Sequence, residues 1–127
     1  MSEGSDVTLV TTGLTTQLAL EAVKSLHQEN VYVEHIHYPS VKPFDVKTLL
    51  ESVKKSRVVV TAENQNVIGG LGGAVCEVLA DNYPVKVKRL GAQDRFGEVG
   101  DVPYLSETLG FSAARIADAC REMKKAK

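Results

Sequence analysis

Four runs rich in β-branched residues recur along the chain and alternate with segments whose apolar residues follow a helical spacing. The runs read DVTLVTT at 6–12, VYVEHIHY at 31–38, RVVVTA at 57–62 and PVKVKRL at 84–90. Between the first two runs, Leu18, Ala22 and Leu26 lie four residues apart, as on one face of a helix. Strands that alternate with helices of this length predict right-handed βαβ units, and therefore a three-layer α/β/α sandwich.

The runs differ in how they use polar residues, which predicts their places in the sheet. The run at 57–62 has apolar residues at successive positions, as in a parallel strand that is buried on both faces. In the run at 84–90, Val85 and Val87 share one side, whereas Lys86 and Lys88 share the other. We therefore predict that the third run is central and that the fourth lies at or near an edge of the sheet.

Small polar residues mark the predicted helix starts, because their side chains can accept hydrogen bonds from free backbone amides. Thr15 or Thr16 is the predicted cap of the first helix, and Asp45 is that of the second. Ser112 is the predicted cap of the final helix.

The segment TAENQNVIGGLGGAV, residues 61–75, places four glycines between the third strand and a helical pattern. A Walker A phosphate loop also needs Gly-Lys-Ser or Gly-Lys-Thr, which this chain lacks. Part of a dinucleotide-binding fingerprint is present, but its third small position falls on Val75, so nucleotide binding is kept only as an alternative. Close backbone packing at a helix start is the role that we favour for the four glycines, which are Gly69, Gly70, Gly72 and Gly73.

Other polar residues offer partial sites. Glu63 follows the third run, at the carboxyl edge where α/β domains place functional residues, or else it simply orders the turn after the strand. His35 and His37 lie on one strand face and could flank a metal ion, but the sequence anchors no third Cys, His or carboxylate beside them. Cys76 and Cys120 lie far apart in helical patterns, and we expect both to be buried free thiols.

Composition and charge narrow the class of protein. The 127 residues, 43% of them hydrophobic, fit one globular domain over residues 1–127. A formal net charge of -1 gives no electrostatic footprint for nucleic acid or an anionic membrane. The start MSEGSD lacks the apolar segment of a signal peptide, and no run is long enough to span a bilayer. We therefore expect a cytoplasmic protein.

Five sequence blocks resemble, in their order, the C-terminal domain of transketolase. They are VTLVTTG, HYPSVKPFD, RVVVTAENQNVIGGLGGAV, VKVKRLGAQDRFGEVG and LGFSAARI. The resemblance implies a five-stranded, mostly parallel sheet with one antiparallel edge strand and helices on both faces. It also implies an enzyme that uses thiamine diphosphate and Mg²⁺ to transfer two-carbon ketol units between sugar phosphates. Gln65 stands where the family often has His, and Val99 stands where it has Ser. Any role that the family's His and Ser have is therefore not transferred to Gln65 and Val99.

Cofactor binding and catalysis are not expected in this chain itself. Thiamine-dependent enzymes hold Mg²⁺ through a Gly-Asp-Gly motif that is followed downstream by Asn, and this chain has no Gly-Asp-Gly. Asp101 is its only Asp that directly follows a Gly, and no Asn comes after it. The resemblance therefore implies a domain that packs on the cofactor-binding domains, or on an N-terminal subunit, of a homo-oligomeric transketolase. The candidate contact residues are Glu63, Gln65, Gly69, Gly70, Gly72, Gly73, Asp94, Phe96 and Glu98.

Two other interpretations stay open. The related C-terminal domains of 1-deoxyxylulose-5-phosphate synthase and of the 2-oxoacid dehydrogenase beta subunits share parts of the same pattern. A free-standing regulatory module could instead bind a nucleotide or another anion at the glycine turn.

Overall fold

A computed structural model describes residues 3–39, 45–66, 70–92, 106–107 and 110–127 of the chain. Its strands are β1 (Val7–Thr11), β2 (Val33–His37), β3 (Val58–Asn66) and β4 (Lys86–Ala92). Its helices are α1 (Thr15–Gln28), α2 (Val46–Ser56), α3 (Leu71–Asn82) and α4 (Ala113–Lys125). Within these ranges, no helix has both the length and the apolar character needed to cross a membrane.

The four strands form one parallel sheet in the order β2-β1-β3-β4. The third strand is interior and the fourth is at an edge, as the polar patterns predict. The expected fifth, antiparallel edge strand is wrong for the described residues, which contain four strands that are all parallel. That expectation came from the family resemblance alone, whereas the hydrophobic pattern of the sequence predicts the four strands that are described.

Helices cover both faces of the sheet and form the predicted three layers. Helices α1 and α4 pack on one face, where Leu26 and Ile116 share a buried apolar cluster with β1 and β3. Helices α2 and α3 pack on the other face, where Leu49 and Leu79 belong to a second cluster. Because the strands are parallel, their carboxyl ends lie at one edge of the sheet, and the helices that follow them begin there.

Two of the three predicted helix caps are confirmed. Oδ1 of Asp45 accepts a hydrogen bond of 3.1 Å from the amide of Thr48. Oγ of Ser112 accepts one of 3.2 Å from the amide of Arg115. Local sequence rules therefore hold at the starts of α2 and α4.

The predicted threonine cap of α1 is wrong. The N-cap residue is Leu14, whose side chain makes no capping hydrogen bond. The two threonine hydroxyls serve other partners: Thr15 Oγ1 donates to the carbonyl oxygen of Ala62 at 2.9 Å, and Thr16 Oγ1 lies 2.8 Å from Nδ1 of His37. Bonds between α1 and the sheet have replaced local capping.

Two buried threonines on neighbouring strands have opposite hydrogen-bonding situations. Thr8 Oγ1, on β1, lies 2.6 Å from Ser52 Oγ and 2.7 Å from Ser56 Oγ, both on α2. Thr61, on β3, is equally buried, but its hydroxyl has no hydrogen-bond partner in the described part of the chain. A buried polar group stabilises the fold only when it is hydrogen-bonded.

The same substitution at these two threonines should therefore change stability in opposite directions. Thr8→Val should lower the free energy of unfolding by about 1 kcal/mol, because it removes bonded partners of two buried serines. Thr61→Val should raise it by about 1 kcal/mol, because it removes an unpaired buried hydroxyl of almost the same shape. Urea unfolding followed by circular dichroism measures both, and equal destabilisation by the two variants would contradict the hydrogen-bond assignment.

Candidate functional site

The strand order places a topological switch point between β1 and β3. After β1 the chain crosses to β2 on one side, and after β2 it crosses to β3 on the other side. Helices α1 and α3 therefore leave the carboxyl ends of these two strands on opposite faces of the sheet. In open parallel sheets this crevice is the usual place for a functional site.

Glu63 occupies this edge with a fully buried side chain. Its Oε1 accepts a hydrogen bond of 3.1 Å from the amide of Leu71, and its Oε2 accepts one of 2.7 Å from the amide of Gly72. The first amides of a helix need acceptors from outside the helix, and negative charge is favoured there by the helix dipole. The carboxylate thus fills the position in which a phosphate would bind at the start of α3.

Opposing effects act on the pKa of the Glu63 carboxyl. Burial raises the pKa of its carboxyl above the usual 4.5, while the two amide hydrogen bonds and the positive charge of Arg89 act in the other direction. Because the folded-state pKa is raised, the contribution of Glu63 to stability is fully present below pH 4.5. It is lost as the pH rises through the folded-state pKa.

The glycines at the start of α3 have different surroundings. Gly70 is the N-cap residue of the helix. A Cβ added to Gly72 would lie 2.9 Å from Cδ of Arg89 and 3.0 Å from Oγ1 of Thr61. A Cβ added to Gly73 would find no heavy atom within 4 Å apart from its own helix. Close packing inside the chain therefore accounts for Gly72 and leaves Gly73 unexplained.

The structure brings together some of the predicted contact residues and does not describe others. Glu63, Gly70 and Gly72 meet at the start of α3, and Gly73 follows directly. Outside the described residues lie Gly69, Asp94, Phe96, Glu98 and the side chain of Gln65.

The two histidines of β2 belong to a chain of hydrogen bonds with two threonines. His35 Nε2 lies 2.8 Å from Thr11 Oγ1, which lies 3.0 Å from Thr16 Oγ1, which in turn bonds to His37. Burial, with a smaller contribution from the charge of the neighbouring His37, lowers the pKa of His35 to about 4. The described residues contain no group of three possible metal ligands, and the contacts that they show for this pair are those of the threonine network.

Sequence reasoning misses Arg89 as a residue of this site. Arg89 continues the alternation of Val85 and Val87 along β4, so the period of two already places it on the α3 side of the sheet. Its side chain passes the start of α3, where Gly72 leaves room for it.

Removing the acceptor at the start of α3 should destabilise the fold. Glu63→Ala leaves two buried amides without an acceptor, so we expect the free energy of unfolding at pH 7 to fall by about 3 kcal/mol. Glu63→Gln keeps one acceptor oxygen and should cost about 1 kcal/mol.

Glu63→Gln also tests the sign of the pKa shift, because glutamine does not titrate. The stability of the unsubstituted chain relative to this variant should be greatest near pH 4.5 and should decrease as the pH rises. Urea unfolding of both proteins from pH 4.5 to 8 measures the difference, and a difference that grows with pH would contradict the assignment.

Comparison with known proteins places this arrangement in a family. The model of the family described as transketolase, C-terminal domain, matches residues 1–116. A 6-deoxy-6-sulfo-D-fructose transketolase subunit of Clostridium sp. strain MSTE9 is 43% identical over 127 residues, which are 100% of this chain and 39% of that protein. A 1-deoxy-D-xylulose-5-phosphate synthase of Geobacter sulfurreducens is 40% identical over 100% of this chain and 20% of its own length. The chain thus spans two fifths or less of these two relatives.

Solved structures agree with this result. A split gene transketolase, solved as an inactive beta4 tetramer, has a TM-score of 0.91 and 41% identity over 98% of this chain and 41% of its own. A transketolase of Pichia stipitis has a TM-score of 0.70 over 99% of this chain, with 18% identity, and so shares the fold. The chain belongs to the transketolase C-terminal domain family.

Proposed function

We propose that the chain is the C-terminal, non-cofactor-binding domain of a thiamine diphosphate-dependent transketolase. It would support the transfer of two-carbon ketol units between sugar phosphates by packing on the cofactor-binding domains and stabilising their assembly. The observation that carries this proposal is that the chain matches only 39% of a transketolase subunit and 41% of a split transketolase chain, in each case over nearly all of its own length. Because the second of these forms a tetramer, we also propose that the complete enzyme is a homo-oligomer.

The start of α3 does not suit a diphosphate such as that of thiamine diphosphate. A diphosphate at the start of α3 would meet the buried carboxylate of Glu63, which carries charge of the same sign. Displacing that carboxylate would leave it buried without its two amide donors, which is costly. We therefore assign the cofactor to domains outside this sequence, and the same contact speaks against a nucleotide or free anion at the glycine turn.

Leu14 marks the surface through which the domain would meet its neighbours. It is the N-cap of α1, and it is 37% exposed. Its dihedral angles are helical, and the amides of Thr16 and Gln17 already donate to the carbonyl oxygens of Gly13 and Leu14. Leu14 follows Gly13, whose φ of 61° turns the chain at the switch point, facing Asn64 of β3. Burial of Leu14 against another domain would remove an exposed apolar side chain from water, which would stabilise the contact.

A second candidate is the corresponding domain of a 1-deoxyxylulose-5-phosphate synthase, which the 40% identity to the Geobacter sulfurreducens protein favours. The domain would have the same packing role in either enzyme. Assays of the complete enzyme for ketol transfer and for deoxyxylulose phosphate formation separate the two.

The proposal predicts that this chain alone does not bind the cofactor and that the remaining domains need the chain for activity. Isothermal titration of the chain with thiamine diphosphate and Mg²⁺ should give no heat of binding, while the complete enzyme binds in the same buffer. Ketol transfer should appear only when the missing domains are co-expressed with the chain. Micromolar binding by the chain alone, or full activity of the other domains without it, would count against the proposal.

Leu14→Ser should weaken the assembly without destabilising the isolated domain. We expect the free energy of unfolding of the chain to change by less than about 0.5 kcal/mol, because Leu14 is exposed and the amides of Thr16 and Gln17 already have acceptors. The affinity for the remaining domains should fall about tenfold, equivalent to about 1.4 kcal/mol, because an apolar contact is lost. Leu20→Ser is the matched control, since Leu20 is 44% exposed on α1 but distant from the helix start. Equal binding losses for the two variants would exclude Leu14 as a contact residue.

A further inference from the structure

We propose that a basic pocket at the amino edge of the sheet binds a small polyphosphate, that is, a chain of linked phosphate groups such as a triphosphate. The pocket lies between the carboxyl ends of α2 and α4 and the start of β4, and its volume is about 470 Å³. Its charged lining residues are Lys54, Lys55, Arg57, Lys86 and Lys127. The inference goes beyond the proposed function, which concerns other domains and the opposite, carboxyl edge of the sheet.

The fold brings these side chains together from distant parts of the sequence. Val58, the first residue of β3, is the register partner of Lys86, the first residue of β4. Arg57 directly precedes Val58 and follows the last residue of α2, so it lies next to Lys86 at the amino edge. Helix α4 runs to Lys125, and Lys127 beyond it lines the same pocket. Two helix ends and two strand starts thus supply the positive charges.

Three of the five charged lining residues have no counter-charge within ion-pair distance in the part of the chain that the structure describes. These residues are Lys54, Arg57 and Lys86, and all three are exposed. A multiply charged anion in the pocket would supply the missing negative charge.

The described carboxylates that act on this region already have partners. Glu34 pairs with Lys55 at 2.9 Å. Glu122 lies within the field of Lys86 but pairs with Lys88, also at 2.9 Å. These contacts therefore leave the charge of Lys86 without a direct partner.

Positive charges at the end of α4 also act on one another. Burial lowers the pKa of the Lys127 ammonium, and the charges of Lys124 and Arg57 act in the same direction, whereas Asp6 opposes them. Each helix end contributes only about half a negative charge, which favours lysines in the last turns. The helix dipole does not account for Arg57 or Lys86, because both lie outside the helices.

The backbone of Arg57 gives an independent reason to assign its side chain a role. Its φ of 65° is left-handed, a conformation that glycine or asparagine usually takes at a helix end. Asn30 is the other described residue besides glycine with a positive φ. The amide of Arg57 donates to the carbonyl oxygen of Val53 at 2.8 Å, as any residue's amide could, and no described residue bonds to its guanidinium. An unfavourable conformation kept by a side chain that the fold does not use points to a ligand.

The size and charge of the pocket select a small anion as its ligand. A volume of about 470 Å³ is typical of pockets for small molecules. The net charge of the whole chain is -1, so the positive surface is local and does not suit a long nucleic acid or a bilayer. The described lining residues include no aromatic ring on which a base could stack, so the phosphate chain is the recognised part. Guanidinium and ammonium groups are the usual partners of phosphate oxygens.

Isothermal titration with sodium tripolyphosphate tests the pocket. At low ionic strength and without Mg²⁺, the chain should bind with a micromolar dissociation constant that rises with added NaCl. Lys54→Gln and Lys86→Gln should each raise this constant about tenfold, because each removes a charged donor. Lys47→Gln is the matched control, since Lys47 is also exposed on α2 but lies in its first turn, and it should change nothing. Absence of binding at millimolar ligand, or equal constants for Lys54→Gln and Lys47→Gln, would overturn the inference.

Arg57→Gly tests whether the side chain serves a ligand and not the fold. The dissociation constant should rise about tenfold, while the urea midpoint should not fall, because glycine takes a φ of 65° without strain. Arg57→Lys keeps the charge and should stay within about threefold of the original affinity. Unchanged affinity in Arg57→Gly would overturn the inference, and so would a lower urea midpoint, since Arg57 would then stabilise the fold.

A parallel titration with ATP identifies the source of the phosphate chain. Equal constants for ATP and tripolyphosphate support recognition of the phosphates alone, and tighter binding of ATP supports a nucleoside triphosphate. Binding of duplex DNA that is tighter than that of tripolyphosphate and is lost in Lys54→Gln would overturn the choice of a small ligand. Thiamine diphosphate with Mg²⁺ should not compete, because the thiazolium ring and the metal neutralise its diphosphate. The result is therefore independent of the cofactor and complementation experiments that test the proposed function.

Discussion

The hydrogen bonds between the buried carboxylate of Glu63 and the first amides of α3 hold the carboxyl edge of this domain together. β3 is paired on both sides as far as Ala62, and Glu63 follows directly from this paired part of the sheet. By bonding to Leu71 and Gly72, that side chain fixes the start of α3 as well. A buried carboxylate is tolerated only when it is hydrogen-bonded, and the helix start needs acceptors, so each group satisfies the other.

The hydrogen bonds of Glu63 limit which ligands the carboxyl edge of the sheet can bind. A switch point in a parallel sheet usually offers free helix amides to an anionic ligand. Here Glu63 occupies the amides of α3, and α1 begins with the exposed Leu14 in place of a polar cap. The start of α3 is thus occupied by a carboxylate, and the start of α1 presents an apolar side chain. Such an edge suits contact with a protein surface better than contact with a phosphate.

Much of the architecture follows from local patterns, but the site depends on contacts that such patterns do not contain. The alternation in β4 and the continuous apolar run in β3 are set by which faces are buried, so both strands were placed correctly. The fifth strand was inferred from relatives and had no strand-like run of its own in this sequence. Glu63 was placed at the right edge with the wrong partners, because its two donors lie eight and nine residues further on. The threonines near the start of α1 satisfy the local rule for a cap, yet the sheet competes for their hydroxyls.

The hydrogen bonds of Glu63 inside the domain also set the directions in which two adjacent glycines face. Successive residues of an α-helix are rotated by about 100°, so Gly72 and Gly73 cannot share one environment. Because Glu63 holds the amides of Leu71 and Gly72, Gly72 faces Arg89 and Thr61 while Gly73 faces outwards. A shift of one residue in the start of α3 would turn Gly72 outwards and move Gly73 to another side of the helix. The carboxylate of Glu63 therefore fixes the rotation of α3 about its own axis, and with it which residues of the helix face outwards.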